Sequence, residues 1–161
     1  MRLVFDTNVL VYAFITPEFV ARIRKREWLE LHRKASRLYE EVLAQKHTLF
    51  IPSSVLIELG SVIAGLTGNE EKARRTIENV RSVAWIVYED PLFTERSINI
   101  GIRLKLSGFD TSIATCAIVN SAILITNDKR FYEKFSPKAE EYGVKIYLLR
   151  EMTMEEIETL S

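Results

Sequence analysis

The stretch LVFDTNVLVYAF, residues 3–14, changes from apolar to polar and back to apolar. Its first three residues form an apolar run, which predicts a short buried strand. Asp6, Thr7 and Asn8 interrupt that run, and the apolar residues after them predict a second element that packs back onto the strand. Because ligand sites of parallel sheets lie beyond the carboxyl ends of the strands, Asp6 stands where such a site would form.

Strands and helices alternate along the rest of the chain. Short apolar runs predict strands at 2–5, 48–51, 83–88, 122–126 and 144–149. Apolar residues at three- and four-residue steps, together with cap signals, predict helices at 8–15, 26–45, 54–66, 69–82, 111–119, 128–135 and 153–160. A further helix is expected to open at Asp90-Pro91 and to end at Gly108. The predicted fold class is α/β, a three-layer α/β/α sandwich with a five-stranded, mainly parallel central sheet.

Several helix ends carry recognisable cap residues. Ser53 or Ser54 is the expected N-cap of the third helix, and Asn69 that of the fourth. Thr153 and Glu156 have the spacing of a capping box at the start of the last helix.

Length and composition restrict the class of protein. The 161 residues predict one domain, 1–161, and 22 basic residues balance 22 acidic ones, which argues against nucleic-acid binding by bulk charge alone. The single cysteine, Cys116, excludes an internal disulfide framework and is expected in the core. No apolar run is long enough for a membrane span, and Asp6 interrupts the first run too early for a signal peptide. We therefore expect a soluble, cytoplasmic protein.

Four carboxylates occupy unusual positions in otherwise apolar segments. Asp6 follows the first predicted strand, Asp128 follows the fourth, Asp110 opens a helix and Glu58 lies inside an apolar helix. Each also has an ordinary explanation. Asp6 and Asp110 would fit as helix caps, Asp128 or Asn127 would fit as the cap of the helix after it, and Glu58 would fit as a solvated helix position.

Convergence of the four acids would either raise their pKa values, so that protons bind, or leave a repulsion that a divalent cation relieves. Two like charges about 4 Å apart repel by roughly 4 kcal/mol at an effective dielectric near 20. Four such charges would strain a domain whose whole stability is roughly 5–15 kcal/mol. Oxygen ligands without Cys or His select Mg²⁺ or Mn²⁺ over zinc. Ions of this kind, bound by carboxylates, activate water for phosphodiester cleavage.

The chain resembles the PIN-domain ribonucleases. The resemblance rests on FDTNVLVYAF (5–14), SSVLIELGSV (53–62), GFDTSIATCAIV (108–119) and ILITNDKRF (123–131), in the family's order and approximate spacing. It implies a five-stranded parallel sheet between helices, with the four metal-site acids of the family at Asp6, Glu58, Asp110 and Asp128. Thr7 and Asn8 match the polar pair after the first acid, and Thr126 and Asn127 match the polar residues before the last. Thr7 and Asn8 are also expected to cap the helix that follows the first strand.

The resemblance also implies an activity and partners. It implies an Mg²⁺- or Mn²⁺-dependent endoribonuclease, similar to the VapC-type toxin of a toxin–antitoxin pair, with a small antitoxin protein as partner and a homodimer as the assembly. Within the same family, an RNA-processing or quality-control nuclease and a catalytically inactive RNA- or protein-binding module remain alternatives. A haloacid-dehalogenase-type phosphatase fits less well, because Asn8 stands where its second Asp is required.

Basic residues near the predicted acids are candidates for RNA contacts, because an acidic pocket repels phosphates. These candidates are Arg22, Arg24, Lys25, Arg26, Lys129 and Arg130. Four of them lie in residues 16–28, TPEFVARIRKREW, between the first two helices. That segment would serve as an RNA clamp, a dimer contact or an extension of the second helix.

Overall fold

Five parallel strands form one central sheet. The computed structural model describes residues 1–160. The strands are β1 (Arg2–Phe5), β2 (Thr48–Pro52), β3 (Trp85–Val87), β4 (Ile123–Thr126) and β5 (Ile146–Leu148). They lie in the order β3-β2-β1-β4-β5, and every neighbouring pair is parallel. The predicted α/β fold with a five-stranded sheet is therefore confirmed.

Residues 1–160 contain eight α-helices, of which the first seven lie between strands and the last follows β5. They are α1 (Thr7–Phe14), α2 (Lys25–Leu43), α3 (Ser53–Thr67), α4 (Glu70–Val83), α5 (Pro91–Leu104), α6 (Gly108–Val119), α7 (Lys129–Ala139) and α8 (Met154–Glu158). Single 3₁₀ turns lie at Pro17–Phe19, Arg22–Arg24 and Glu140–Tyr142. None of the helices in this part of the chain has both the length and the apolar character that a membrane crossing requires.

The central strands lie at the middle of the core. Every residue of β4 and the last three residues of β1 are buried, although successive side chains of a strand point to opposite faces. Burial on both faces means that helices cover the sheet from both sides. Cys116 of α6 is fully buried, as predicted from its apolar surroundings.

Three of the predicted helix caps are confirmed. Asn69 and Asp90 each accept a backbone N–H at the start of their helices. Thr153 and Glu156 form both hydrogen bonds of the capping box. These caps follow from local sequence alone, which explains why they could be predicted.

Two other helix-end predictions are wrong. Ser53 and Ser54 do not cap α3, because Pro52 occupies the N-cap position and both hydroxyls instead donate to Glu89. Gly108 does not end α5, since Lys105 adopts the left-handed conformation at φ +54° and ends the helix after Leu104.

Candidate active site

The four predicted carboxylates line one cavity of about 280 Å³. Asp6 follows β1 and Asp128 follows β4, and these two strands are parallel neighbours paired through Phe5 and Ile125. Glu58 lies in the second turn of α3 and Asp110 in the first turn of α6. The sheet order therefore brings two strand ends together, and the two helices add one carboxylate each.

Asp6 is the most buried of the four acids, with 6% of its surface exposed. The side-chain amide of Asn8 donates to Asp6 Oδ2 at 2.8 Å, and the Thr126 hydroxyl donates to the same oxygen at 2.6 Å. Oδ1 receives neither of these donors. Burial raises the pKa of Asp6 to about 6, and the Asp110 and Glu58 charges also raise it, against the lowering effect of the Thr126 hydrogen bond. The Asp6 carboxylate is thus held in one orientation at a place where its negative charge is unfavourable.

The polar neighbours of the acids join the ends of β1 and β4. Thr126 Oγ1, which donates to Asp6, also accepts the Asp128 N–H at 2.9 Å. Asn8, whose amide donates to Asp6, accepts the Asn127 N–H on its Oδ1 at 2.9 Å. Each of these side chains contacts the opposite strand end, so it orients a carboxylate and fixes the spacing of the two strand ends together.

Thr7 and Asn8 do not cap α1, contrary to the prediction. Asp6 occupies the N-cap position, and no side chain makes a cap hydrogen bond there. The Thr7 hydroxyl instead donates to Glu58 Oε2. The explanation of Asp6 as a helix cap and that of Glu58 as a solvated position are therefore both wrong, since Asp6 makes no cap bond and Glu58 is half-buried against the cavity.

Asp110 and Asp128 differ in their local roles. Ser107 caps α6 by accepting the Asp110 N–H, so Asp110 is not the cap of its helix. Burial raises the pKa of the Asp110 carboxyl, and the charges of Asp128 and Glu58 act in the same direction. Asp128 does cap its helix, because its Oδ1 accepts the Phe131 N–H at 3.0 Å. This cap occupies one oxygen of a carboxylate that also lines the cavity.

The chemistry of the donors fits a hard divalent cation. The cavity lining contains four carboxylates and neither His nor Cys, which is the donor set for Mg²⁺ or Mn²⁺. Within residues 1–160, however, no three such side chains lie close enough together to hold one ion. The carboxylates in their present positions would therefore reach a common ion partly through water.

The six predicted RNA-contact residues are all exposed. Arg22 and Arg24 belong to the second 3₁₀ turn, and Lys25 and Arg26 begin α2. Lys129 and Arg130 begin α7 beside Asp128, and Lys129 lies 3.6 Å from Glu133. In the segment 16–28, residues 25–28 form the start of the second helix. The rest of the segment includes the first two 3₁₀ turns.

Sequence reasoning missed the aromatic part of the cavity. Tyr12, Trp28 and Phe109 line it beside the acids. Tyr12 stands one helical turn after Asn8, a spacing that could have indicated it. Trp28 gives no such signal, because it reaches the cavity only through the packing of α2 against α1.

Arg150 was also missed. Its Nε donates to Asn127 Oδ1, and its Nη2 donates to the Asn127 carbonyl, both at 3.3 Å. A cation from the segment after β5 thus supports the strand end that carries Asp128.

Comparisons with known proteins agree with this fold. A family model described as the PIN domain matches residues 3–134, which include all four carboxylates. VapBC-1 from nontypeable Haemophilus influenzae is similar in structure, with a TM-score of 0.61 and 18% identity over 94% of this chain and 100% of that one. VapBC2 from Rickettsia felis, solved bound to a DNA fragment from its promoter, has a TM-score of 0.60 and 20% identity over 91% of this chain and 98% of that one.

A protein from a third organism also has a similar fold. PAE2754 from Pyrobaculum aerophilum has a TM-score of 0.52 and 19% identity, with 91% of this chain and 92% of that one covered. No curated protein matches the chain in sequence. At these identities the structural likeness shows the fold, whereas the family model matches the sequence itself. The chain therefore belongs to the PIN domain family.

Proposed function

We propose that this chain is a single-domain, Mg²⁺- or Mn²⁺-dependent endoribonuclease. The observation that carries the proposal is the cavity at which carboxylates from two strand ends and two helices meet. Membership of the PIN family supports it, because the resemblance to its ribonucleases extends to all four acids. A catalytically inactive binding module is disfavoured, since the charges of Asp110 and Glu58 act on the buried Asp6 carboxylate and nothing in such a module would offset that repulsion.

The residues of the site have separable tasks. Asp6, Glu58, Asp110 and Asp128 hold the cation, directly or through water, and Asn8, Thr126 and Thr7 orient two of them. A divalent cation bound here lowers the pKa of a water and stabilises negative charge on a phosphate. Attack by water in line with the leaving 3′ oxygen gives products with a 5′-phosphate and a 3′-hydroxyl.

Basic residues hold the RNA strand against the acidic cavity. The proposed contacts are Arg22, Arg24, Lys25, Arg26, Lys129 and Arg130, all of which are exposed. Replacing Arg22, Arg24, Lys25 and Arg26 by neutral residues should make RNA affinity decrease less steeply with salt concentration. An unchanged salt slope would remove this segment from the interface.

Cleavage of an end-labelled RNA tests the activity. The Asp6→Asn and Asp128→Asn variants should lose orders of magnitude in rate, and chelation of the metal should abolish cleavage. Asp90→Asn is the matched control, because Asp90 is an exposed helix cap that follows β3. In the sheet order, β3 and the strand that carries Asp128, β4, lie on opposite sides of β1. Cyclic-phosphate products without a divalent ion, or full activity in both site variants, would contradict the proposal.

We further propose that the chain is the toxin of a toxin–antitoxin pair and forms a homodimer. Three of the structures with this fold are VapBC proteins, and one of them, VapBC-5 from Mycobacterium tuberculosis, is described as a member of the VapBC family of toxin–antitoxin systems. Expression of the wild-type chain should arrest growth, and Asp6→Asn should not. Growth arrest relieved by the product of an adjacent small reading frame would identify the antitoxin, whereas harmless expression of an active nuclease would favour RNA processing.

A further inference from the structure

A second cavity, of about 250 Å³, adjoins the carboxylate cavity. Its lining consists of Tyr12, Arg24, Glu27, Trp28 and Leu31. Tyr12 and Trp28 also line the carboxylate cavity, so the two spaces share an aromatic wall. If a phosphate of an RNA strand lies at the acids, the adjacent nucleotide would therefore lie beside this wall.

The two aromatic rings are held by contacts within the protein. They pack edge to face, with centroids 4.7 Å apart and an interplanar angle of 66°. The Trp28 indole N–H donates to the Ile15 carbonyl at 2.7 Å, and the Tyr12 hydroxyl accepts from the Asn127 amide at 3.4 Å. Because the protein itself engages both polar groups, the rings present mainly apolar surface to a ligand. An apolar, pre-oriented aromatic surface is suited to stacking.

The rim of the second cavity carries polar groups without protein partners. Arg24 and Glu27 are exposed, and within residues 1–160 neither side chain makes an ion pair or a hydrogen bond. A guanidinium offers donors and a carboxylate offers acceptors, the two kinds of group that the edge of a nucleobase requires. Stacking surface with hydrogen-bonding groups at its edge is how proteins bind the splayed bases of single-stranded RNA.

We propose that the second cavity binds one unstacked nucleobase of the RNA strand whose phosphate lies at the four carboxylates. The base stacks on one ring of the wall formed by Tyr12 and Trp28, whose planes are 66° apart, and Arg24 and Glu27 contact its edge. This inference rests on the proposed function, and it gives the basic 3₁₀ turn before α2 a task beyond general charge. Stacking of one base contributes about tenfold to a hundredfold in affinity.

Trp28 itself provides the test. The chain has two tryptophans, and Trp85 is 68% exposed on the edge strand β3. Trp85→Phe in the full chain leaves Trp28 as the only indole reporter. We would titrate this variant in the presence of Ca²⁺ with a single-stranded RNA hexamer and, separately, with an abasic hexamer of equal charge. Anisotropy of a 5′ label measures binding, and the RNA is checked for cleavage afterwards.

We expect the hexamer to quench Trp28 emission. The abasic strand should quench it much less and bind about tenfold more weakly. Emission that does not change when RNA binds, or that changes equally with both strands, would overturn the inference. Absence of any RNA binding would overturn it as well.

Arg24→Ala and Arg22→Ala form a matched pair of variants. Both remove one cation from the same 3₁₀ turn, but only Arg24 lines the second cavity. Both should weaken binding through lost charge, whereas only Arg24→Ala should reduce the ratio of hexamer to abasic affinity. Equal ratios in the two variants would remove Arg24 from the base site.

The Trp85→Phe variant distinguishes failure of this inference from failure of the proposed function. Cleavage with Mg²⁺ or Mn²⁺ but no response of Trp28 would overturn the base site alone. A selective Trp28 response without any metal-dependent cleavage would overturn the nuclease proposal and retain a base-binding cavity.

Discussion

Replacement of Asp6 by Asn should stabilise the metal-free protein at neutral pH. Burial, with help from neighbouring carboxylates, raises the pKa of Asp6 from 3.8 to about 6 in the folded chain. The unfolded chain releases this proton at the lower value, so the folded state becomes less stable as pH rises between the two values and stays so above them. Two pKa units correspond to about 3 kcal/mol at 1.36 kcal/mol per unit.

The Asp6→Asn substitution removes this penalty without removing the hydrogen bonds. Asn8 and Thr126 both donate to the same oxygen of Asp6, and the oxygen of the introduced amide can accept both bonds in its place. The variant should therefore exceed wild type by about 3 kcal/mol near pH 8 and by little near pH 4, where Asp6 is largely neutral in the folded state. For a chain of this size the difference near pH 8 corresponds to roughly 6–12 °C in Tm.

Urea denaturation in the presence of a chelator, repeated across this pH range, measures the effect. Asp90→Asn is a suitable control, because its carboxylate is exposed and Asn is an equally good N-cap, so its stability should follow wild type at every pH. A gain in Asp6→Asn that does not depend on pH, or a loss at pH 8, would refute the idea that the buried charge destabilises the metal-free site.

Three further predictions concern the site and its frame. Thr126→Val removes the hydroxyl that joins Asp6 to the Asp128 N–H, so it should lower the free energy of unfolding by about 1–3 kcal/mol, and Thr126→Ser should restore most of it in the same urea assay. Gly68→Ala should lower the free energy of unfolding by about 1 kcal/mol, because Gly68 ends α3 at φ +63°, and a gain in Tm would contradict this. Leu124→Ala, at a fully buried position of the central strand β4, should cost about 2–5 kcal/mol, and calorimetry showing less than 1 kcal/mol would mean that the core collapses around the lost side chain.

The predicted sheet followed from signals that are local in the chain. Runs such as ILIT (123–126) are apolar throughout because both faces of the strand are covered, and this pattern identifies a parallel sheet without knowledge of its neighbours. The caps at Asn69 and Thr153 were predictable for the same reason, since each bond closes within a few residues. The failure at Ser53 and Ser54 is equally instructive, because their partner Glu89 is more than thirty residues away.

The candidate site was predictable only in part. The order of the motifs identified the four carboxylates, because each stands in an apolar context where a charge needs an explanation. Nothing in the order of residues indicated that Thr7 contacts Glu58, that Thr126 connects two acids, or that Arg150 contacts Asn127. Such contacts join elements that lie far apart in the chain.

The amino-acid sequence by itself determined the layered α/β architecture, most helix ends and the identity of the four acids, because hydrophobic period, turn chemistry and charge placement act over a few neighbouring residues. Only the tertiary structure decided that these acids share one cavity, that burial raises the pKa of Asp6, and that Tyr12 and Trp28 form a wall beside them. Desolvation and packing depend on every element that surrounds a group, and those elements become neighbours only when the chain folds.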